Sequence, residues 1–363
     1  MGRAVLFASI AAVSACALFP SLDGLGGQDA SSPPNDASHD PTELPDTTPP
    51  ESGGDTSVAD VVTGPLYERV VTIVNGGSTP LPVGYTIGVP FPASQIQAAV
   101  SAGKMRADLA DLGVKGPSGE RDRLIDASPF PSVVWFSLSA QIAGGATDTS
   151  YAITYGDPNA SSPPANGAAV FAFYDDFVGT SLDGSKWMSQ GTVSVSGGEL
   201  TLPKGGLGAV TTLSLPATTT VEWRAKISDP TSDPDGQTGF YYWFGFQRNG
   251  DFVTTDPWIL WIARDESLVG AEDDADGCPN DCANTPGAQN NGFRNYGIER
   301  QPLETIFSID NATSYSTPAT NDQAMSLMIR NFLVTSDVVV DWMRARTRNY
   351  PEPTVSLGPE QQL

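Results

Sequence analysis

The sequence is poor in positive charge and in histidine. Its 363 residues include 19 Lys and Arg against 42 Asp and Glu, for a formal net charge of −23. A nucleic-acid-binding surface is excluded, because such surfaces neutralise phosphates with clustered basic side chains. The one histidine, His39, lies in a Pro-rich segment. A Ser-His-Asp triad or a histidine-rich zinc site is therefore excluded from the rest of the chain.

The apolar run at the N-terminus is too short to span a membrane. Residues 4–13 give about half the length that a transmembrane helix needs, but after Arg3 they fit a secretory signal. The run ends in "VSAC" (13–16), which resembles the bacterial lipobox. The resemblance implies that residues 1–15 are a lipoprotein signal peptide and that acylated Cys16 anchors the chain in a lipid bilayer. Ala17 then favours the outer membrane, and a plain secreted protein is the alternative.

The segment after Cys16 contains no Lys or Arg. Residues 17–66 hold nine Asp or Glu and eight Pro among many Ser, Thr and Gly. Such a composition cannot bury enough apolar surface to offset the entropy of ordering. We therefore predict a disordered acidic stalk over residues 16–66.

The remaining sequence predicts an all-β protein. Charged residues make up only 17% of the chain, which has 37 Gly and 30 Pro. "RVVTIVN", "VVWFSLS" and "SYAITYG" are typical of strands, and residues 93–103 predict one short helix. "TVEWRAKI" (220–227) alternates, with Val221, Trp223 and Ala225 on a packed face and Glu222 on a wet one. "MSLMIRNF" and "DVVVDWMRAR" show the same pattern.

Several segments resemble two known families. "YERVVTIVNGG", "GKMRADLADL", "VVWFSLS" and "SYAITYGDPNASSPPANGAAVFAFYDDF" are similar to the domain of unknown function 2341. "YDDFVGTSLDGSKWMSQGTVSVSGGELTL" resembles the start of a concanavalin A-like jelly roll of laminin-G or glucanase type. The resemblance implies two β-sandwich modules, at 67–172 and 173–358. The jelly-roll family includes lectins, hydrolases and spacers, so the fold leaves function open.

The sequence lacks the motif that is usual in jelly-roll glycoside hydrolases. Jelly-roll glycosidases place several carboxylates on one strand face, at alternating positions. Glu222 is the only acid in its strand, and "VVVDWMR" contributes Asp341 alone. The sequence therefore favours a protein that is not an enzyme.

A strand with two aromatic faces is the candidate ligand site. In "GFYYWFGFQRNG" (239–250), one face is expected to pack in a core, and the second meets another layer or a ligand. Exposed rings in carbohydrate-binding jelly rolls stack on sugars while polar side chains bind the hydroxyls. The alternative is that both faces are buried. The candidate ligand-binding residues are Tyr241, Trp243, Gln247, Arg248, Asn249, Trp258 and Trp261.

The acidic loop "EDDADGCPNDC" (272–282) is a partial match to a calcium-binding loop. Oxygen ligands two residues apart converge on a hard cation, but Ala283 stands where the closing acid belongs. An exposed acidic loop is the alternative, and Asp175 with Asp176 is a second candidate for Ca²⁺. The candidate metal ligands are Glu272, Asp274, Asp276 and Asp281.

Cys278 and Cys282 predict a disulfide if the chain is exported. From the sequence we therefore expect a cell-surface lipoprotein that binds glycan or extracellular matrix without catalysis. A polysaccharide-acting glycoside hydrolase and a purely structural or partner-docking module remain alternatives.

Overall fold

A computed structural model of the chain describes residues 66–126, 132–160, 166–205, 208–227, 240–248, 258–264, 267–273, 283–286, 290–319, 322–331 and 337–363. Cys16, the predicted signal peptide and the predicted stalk up to residue 65 lie outside these ranges. Neither helix in the described ranges is long and apolar enough to cross a membrane.

The described residues form 24 strands and two helices. The strands are β1 (Tyr67–Val74), β2 (Thr86–Phe91), β3 (Gly113–Gly116), β4 (Gly119–Arg121), β5 (Arg123–Asp126), β6 (Ser132–Ser137), β7 (Thr147–Tyr155), β8 (Phe173–Asp175), β9 (Trp187–Gln190), β10 (Ser194–Ser196), β11 (Glu199–Leu202), β12 (Gly208–Leu215), β13 (Thr219–Ile227), β14 (Phe240–Gln247), β15 (Trp258–Arg264), β16 (Ser267–Asp273), β17 (Ala283–Pro286), β18 (Asn290–Arg300), β19 (Glu304–Ile309), β20 (Ala312–Pro318), β21 (Met325–Asn331), β22 (Val338–Thr347), β23 (Thr354–Leu357) and β24 (Gln361–Gln362). The helices are α1 (Ala93–Ser101) and α2 (Gly167–Val170).

A first sandwich is formed by two antiparallel sheets. One has the strand order β23-β1-β7-β3-β4, with β24 also paired to β1, and the other has the order β2-β6-β5. Alternating apolar side chains from both sheets, such as Ile73 and Phe136, meet in one core to which α1 adds Ala99. The predicted strands and the predicted helix in this region are confirmed.

A second sandwich has its own core between larger sheets. The eight-stranded sheet has the order β10-β11-β22-β13-β18-β19-β20 with β8 on β22, and the seven-stranded sheet has the order β17-β16-β15-β14-β21-β12-β9. Val221, Trp223 and Ala225 of β13 point into the core, as their alternation predicts. The ring of Trp223 stacks on Phe244 of β14 at 5.7 Å. The predicted all-β class with two sandwiches is confirmed.

The end of the chain returns to the first sandwich. Strand β23 pairs with β1 through Val71 and Leu357, and β24 pairs with it through Tyr67 and Gln362. The sequence had assigned residues up to 358 to the second module, whereas the structure places 354–357 in the first sheet. Both sandwiches belong to one compact unit, Val58–Leu363.

Two faces predicted to be wet are covered. Every residue of β21 is buried, although its sequence predicts one packed face only. On the side of the seven-stranded sheet away from the core, Val210, Leu260 and Met328 are buried as well. Glu222 of β13 is covered by the first sandwich and is only 23% exposed.

Candidate functional site

The predicted aromatic strand is β14, and its two faces differ. Tyr242, Phe244 and Phe246 belong to the core of the second sandwich. Trp243 lies on the other side of the sheet, half-buried, with the guanidinium of Arg330 5.5 Å from its ring centre. The orientation predicted for Trp243 is therefore correct, but its ring is not fully exposed.

Two of the predicted ligand-binding residues are buried. Gln247 is 1% exposed. Trp261 points into the core, where its indole N–H donates to the carbonyl of Gly297 at 3.0 Å and its ring meets Phe307 edge-on. The prediction that Trp261 flanks a ligand is wrong, because alternation along β15 turns it towards the opposite sheet.

Other predicted site residues cannot be assigned a geometry. Only the backbone is described for Tyr241, Trp258 and Glu272, and Arg248 is exposed at the end of β14. Outside the described residues lie Asn249, Asp274, Asp276, Asp281, Cys278 and Cys282. These remain predictions.

Asp175, which the sequence suggests with Asp176 as a second candidate for Ca²⁺, forms hydrogen bonds within the fold. Its carboxylate accepts hydrogen bonds from the indole N–H of Trp187 at 2.6 Å and from the backbone N–H of Phe177 at 3.1 Å. The ammonium Nζ of Lys186 lies 3.5 Å from Oδ1 of the same carboxylate. In the described part of the chain, no three Asp, Glu, His or Cys side chains are grouped to bind a metal.

A pocket lies at the junction of the two sandwiches and is a candidate site. Its volume is about 200 Å³. The first sandwich contributes Asp126, Val133 and Trp135, and the second contributes Glu222, Asn295, Tyr296, Ser308, Asn311, Trp342 and Arg344. We call this cavity the junction pocket.

Strand register builds the floor of the junction pocket. Across the outer face of the eight-stranded sheet, Arg344 lies opposite Glu222, Glu222 opposite Gly297, and Gly297 opposite Ser308. A Cβ at residue 297 would lie 2.5 Å from Ser308 Oγ. The absence of a side chain at Gly297 therefore leaves room for the Ser308 hydroxyl, which lies over residue 297 beside Glu222.

Arg344 joins both sandwiches at one wall of the pocket. Its Nε donates to Glu222 at 2.8 Å, and its two terminal nitrogens donate to Asp126 at 3.0 and 2.8 Å. The guanidinium also lies 5.1 Å from the ring centre of Trp135 and 4.8 Å from that of Trp342. With its side chain only 6% exposed, Arg344 is fixed by charge and by aromatic stacking together.

Trp135 is positioned by its own strand pair. It lies opposite Gly88 on β2, where a Cβ would come within 2.6 Å of the ring. Its indole N–H donates to Asp126 at 2.8 Å. Because residue 88 is glycine, the ring of Trp135 can lie across β2, where it packs against Arg344.

The ionisation of Glu222 follows from these contacts. Burial alone would raise the pKa of Glu222, but the charges of Arg344 and Arg346 and the hydrogen bond from Arg344 hold it below its usual 4.5. At neutral pH Glu222 is therefore a carboxylate that accepts hydrogen bonds. Asn295 adds a buried amide Oδ1 that has no hydrogen-bond partner in the described part of the chain.

Sequence reasoning assigned the outer face of β13 to solvent and so missed this pocket. One signal was available on β22, where Trp342 and Arg344 alternate with the core residues Met343 and Ala345. An outward face with a tryptophan two residues from an arginine is unusual for a solvated surface. The partner sheet could not be identified from that pattern alone.

One family model and several solved structures match parts of this chain. A family model described as domain of unknown function DUF2341 matches residues 125–190. These residues include Asp126, Val133 and Trp135 of the junction pocket and continue into the second sandwich. A search of the curated proteins finds no match.

Solved structures with some similarity cover about half of this chain. A laminarinase from Flavobacterium sp. UMI-01 is 14% identical over 49% of this chain and 100% of its own, with a TM-score of 0.40. An endo-beta-1,3-glucanase from Pyrococcus furiosus is 11% identical, over 49% of this chain and 94% of its own, with a TM-score of 0.40. A pseudo beta-1,3-glucanase of Mycobacterium tuberculosis is 15% identical, over 49% of this chain and 99% of its own, with a TM-score of 0.39. At such identities and TM-scores, the likeness carries no conclusion about ligand or activity.

Proposed function

We propose that this protein is a lipid-anchored envelope protein that binds carbohydrate in the junction pocket without catalysis. The supporting observation is the pocket itself, which combines the half-buried ring of Trp342 with a carboxylate, an amide and a hydroxyl from Glu222, Asn295 and Ser308. An apolar ring beside a few fixed polar groups is the usual chemistry of a small-ligand site.

Two observations favour binding over hydrolysis. Glycosidases need a carboxylic acid whose pKa is raised, so that it can protonate the leaving group. Every described carboxyl group with a shifted pKa, including Glu222 and Glu352, has it lowered. Among the described strands of the seven-stranded sheet, the only acids are Glu272 and Asp273, at the end of β16.

A matched pair of tryptophan variants tests the site. Trp342→Ala removes the ring in the junction pocket, and Trp243→Ala removes a second half-buried tryptophan that also packs against an arginine. We expect the purified protein to bind glycans on an array, and we expect Trp342→Ala to lose that binding while Trp243→Ala keeps it. Loss in the Trp243 variant alone would move the site to β14. No binding by the unmodified protein would favour a structural role.

The anchor is tested separately at Cys16. The "VSAC" motif supports acylation of this cysteine, with attachment to the outer membrane. We expect mass spectrometry to find a lipidated cysteine at the mature N-terminus and detergent-phase partitioning of the native protein. The Cys16→Ser variant should remain in the aqueous phase. An unprocessed Met1 in the native protein would contradict the proposal.

A further inference from the structure

We infer that the junction pocket selects an amino sugar with a free, protonated amine over neutral and acidic sugars. The inference rests on the proposed function and adds the class of ligand. Its basis is a charge imbalance between the two sandwiches. Two carboxylates, Asp126 and Glu222, share the single guanidinium of Arg344. One negative charge in a partly buried site is thus left without a cation of its own.

Arg346 and Arg348 also act on Glu222 and lower its pKa, but both share the carboxylate of Glu352, so they reduce the imbalance without removing it. The other arginines on this face each have an acidic partner outside the pocket lining. The pairs are Arg224 with Asp341, Arg294 with Asp310, and Arg346 with Glu352. The local field therefore favours a cationic ligand, in the same direction as the net charge of −23.

Two oxygens at the pocket, on Glu222 and Asn295, accept no hydrogen bond from the described residues. All three nitrogens of Arg344 already donate to carboxylates. Glu222 uses Oε2 for Arg344, and its Oε1 has no hydrogen-bond partner within the described ranges. Asn295 Oδ1 is buried and without a partner there as well. A ligand rich in N–H and O–H donors satisfies these oxygens, whereas the carboxylate of an acidic sugar would meet only Arg344, which two carboxylates already share.

The size of the pocket limits the ligand to about one ring. Its volume of about 200 Å³ lies below the range of about 300–1,000 Å³ that is usual for drug-sized ligands. Gly297 allows the Ser308 hydroxyl to lie beside Glu222, and both side chains line the pocket. The ammonium group of a single hexosamine unit can therefore approach Glu222 beside the ring of Trp342.

Calorimetric titration of the purified full-length protein tests the ligand class. Glucosamine, at slightly acidic pH where its amine is protonated, is compared with glucose and glucuronate. We expect glucosamine to bind about tenfold more tightly than glucose, the difference that one charge-assisted hydrogen bond supplies, and glucuronate not to bind. Raising the salt concentration should weaken the binding of glucosamine and leave that of glucose unchanged.

Two glutamate variants identify the group responsible. Glu222→Gln should reduce the affinity for glucosamine about tenfold and leave that for glucose within about twofold. The control is Glu299→Gln. Glu299 lies two residues after Gly297 on β18 and pairs with Arg348 outside the pocket. We expect this variant to change neither affinity.

The outcomes separate this inference from the proposed function. Equal affinities for glucose and glucosamine, without salt dependence, would overturn the inference and leave carbohydrate binding intact. Preferential binding of glucuronate would overturn it too. If none of the three sugars binds and the glycan array is also negative, both proposals are wrong. The salt dependence requires no variant, so a folding defect in Glu222→Gln would not prevent a decision.

Discussion

At the scale of single residues, Arg344 contacts both sandwiches at their junction. It bonds Glu222 in its own sheet and Asp126 in the first sandwich, between the rings of Trp135 and Trp342. Removing it would leave two carboxylates partly buried without a cation. A buried charge that loses its partner costs far more than the pair itself contributes.

Replacing Arg344 by Met should therefore be strongly destabilising. We expect the free energy of unfolding to fall by about 3 kcal/mol, measured by chemical denaturation. Arg224→Met is the control, because Arg224 lies on the same face and pairs with Asp341 but is 42% exposed. Its loss should cost less than about 1 kcal/mol. Equal effects of the two substitutions would contradict a special role for Arg344.

Acidic pH should weaken the same contacts. Burial would raise the pKa of Glu222 and of Glu352, but neighbouring arginines hold both below 4.5. A carboxyl group whose pKa is lower in the folded state stabilises the fold above its unfolded value, and that contribution is lost as the pH falls through the folded value. We expect the free energy of unfolding to decline below about pH 4.5. In the Glu222→Gln variant the free energy of unfolding should decline less steeply over the same pH range. Parallel pH profiles would contradict this assignment.

At the scale of elements, alternation predicted the strands but not what covers them. The pattern of β13 correctly assigned Val221, Trp223 and Ala225 to the core, because it depends only on which face is apolar. The opposite face carries Glu222 and Arg224, which is also how a solvated face looks. Whether a second sheet lies over those residues depends on contacts distant in sequence. The outer face of β13, and with it the junction pocket, was therefore not predictable from β13 alone.

The C-terminal strands illustrate the same limit. Residues 354–357 follow the second sandwich in sequence, yet β23 completes the sheet of the first. Gly358 reinforces this pairing, since its N–H donates to Val70 and its carbonyl accepts from Arg69, both at 2.8 Å. Glu360 adds an ion pair with Lys104 and accepts from Tyr155 Oη at 2.6 Å.

Truncation after residue 353 should therefore loosen the first sandwich, although every residue removed lies at the far end of the chain. We expect hydrogen exchange of the β1 amides to accelerate at least tenfold, about 1.4 kcal/mol, while β13 in the second core stays protected. Removal of residues 361–363 alone keeps β23 and should have a much smaller effect. Equal acceleration in both cores would mean that the tail supports the whole unit.

At the scale of the whole molecule, several contacts join the two sandwiches. Arg344 bonds Asp126, the backbone N–H of Asn349 donates to Tyr85 Oη at 3.2 Å, and β23 continues the first sheet. The junction pocket exists only where the sandwiches meet, since its lining comes from both. A ligand there would bind the joined form alone and so stabilise both sandwiches by mass action.

We therefore expect the described unit to unfold as one cooperative system. Two cores of this size can melt separately when the interface between them is weak, because domain interfaces within a chain often resemble transient contacts. Here a buried ion pair and a shared sheet oppose that separation, so calorimetry of the intact protein should show a single transition. Arg344→Met combined with truncation after residue 353 removes two of the three connections and should give two transitions. Two transitions in the intact protein would show that each core is stable by itself, and the junction pocket would then form only by reversible docking.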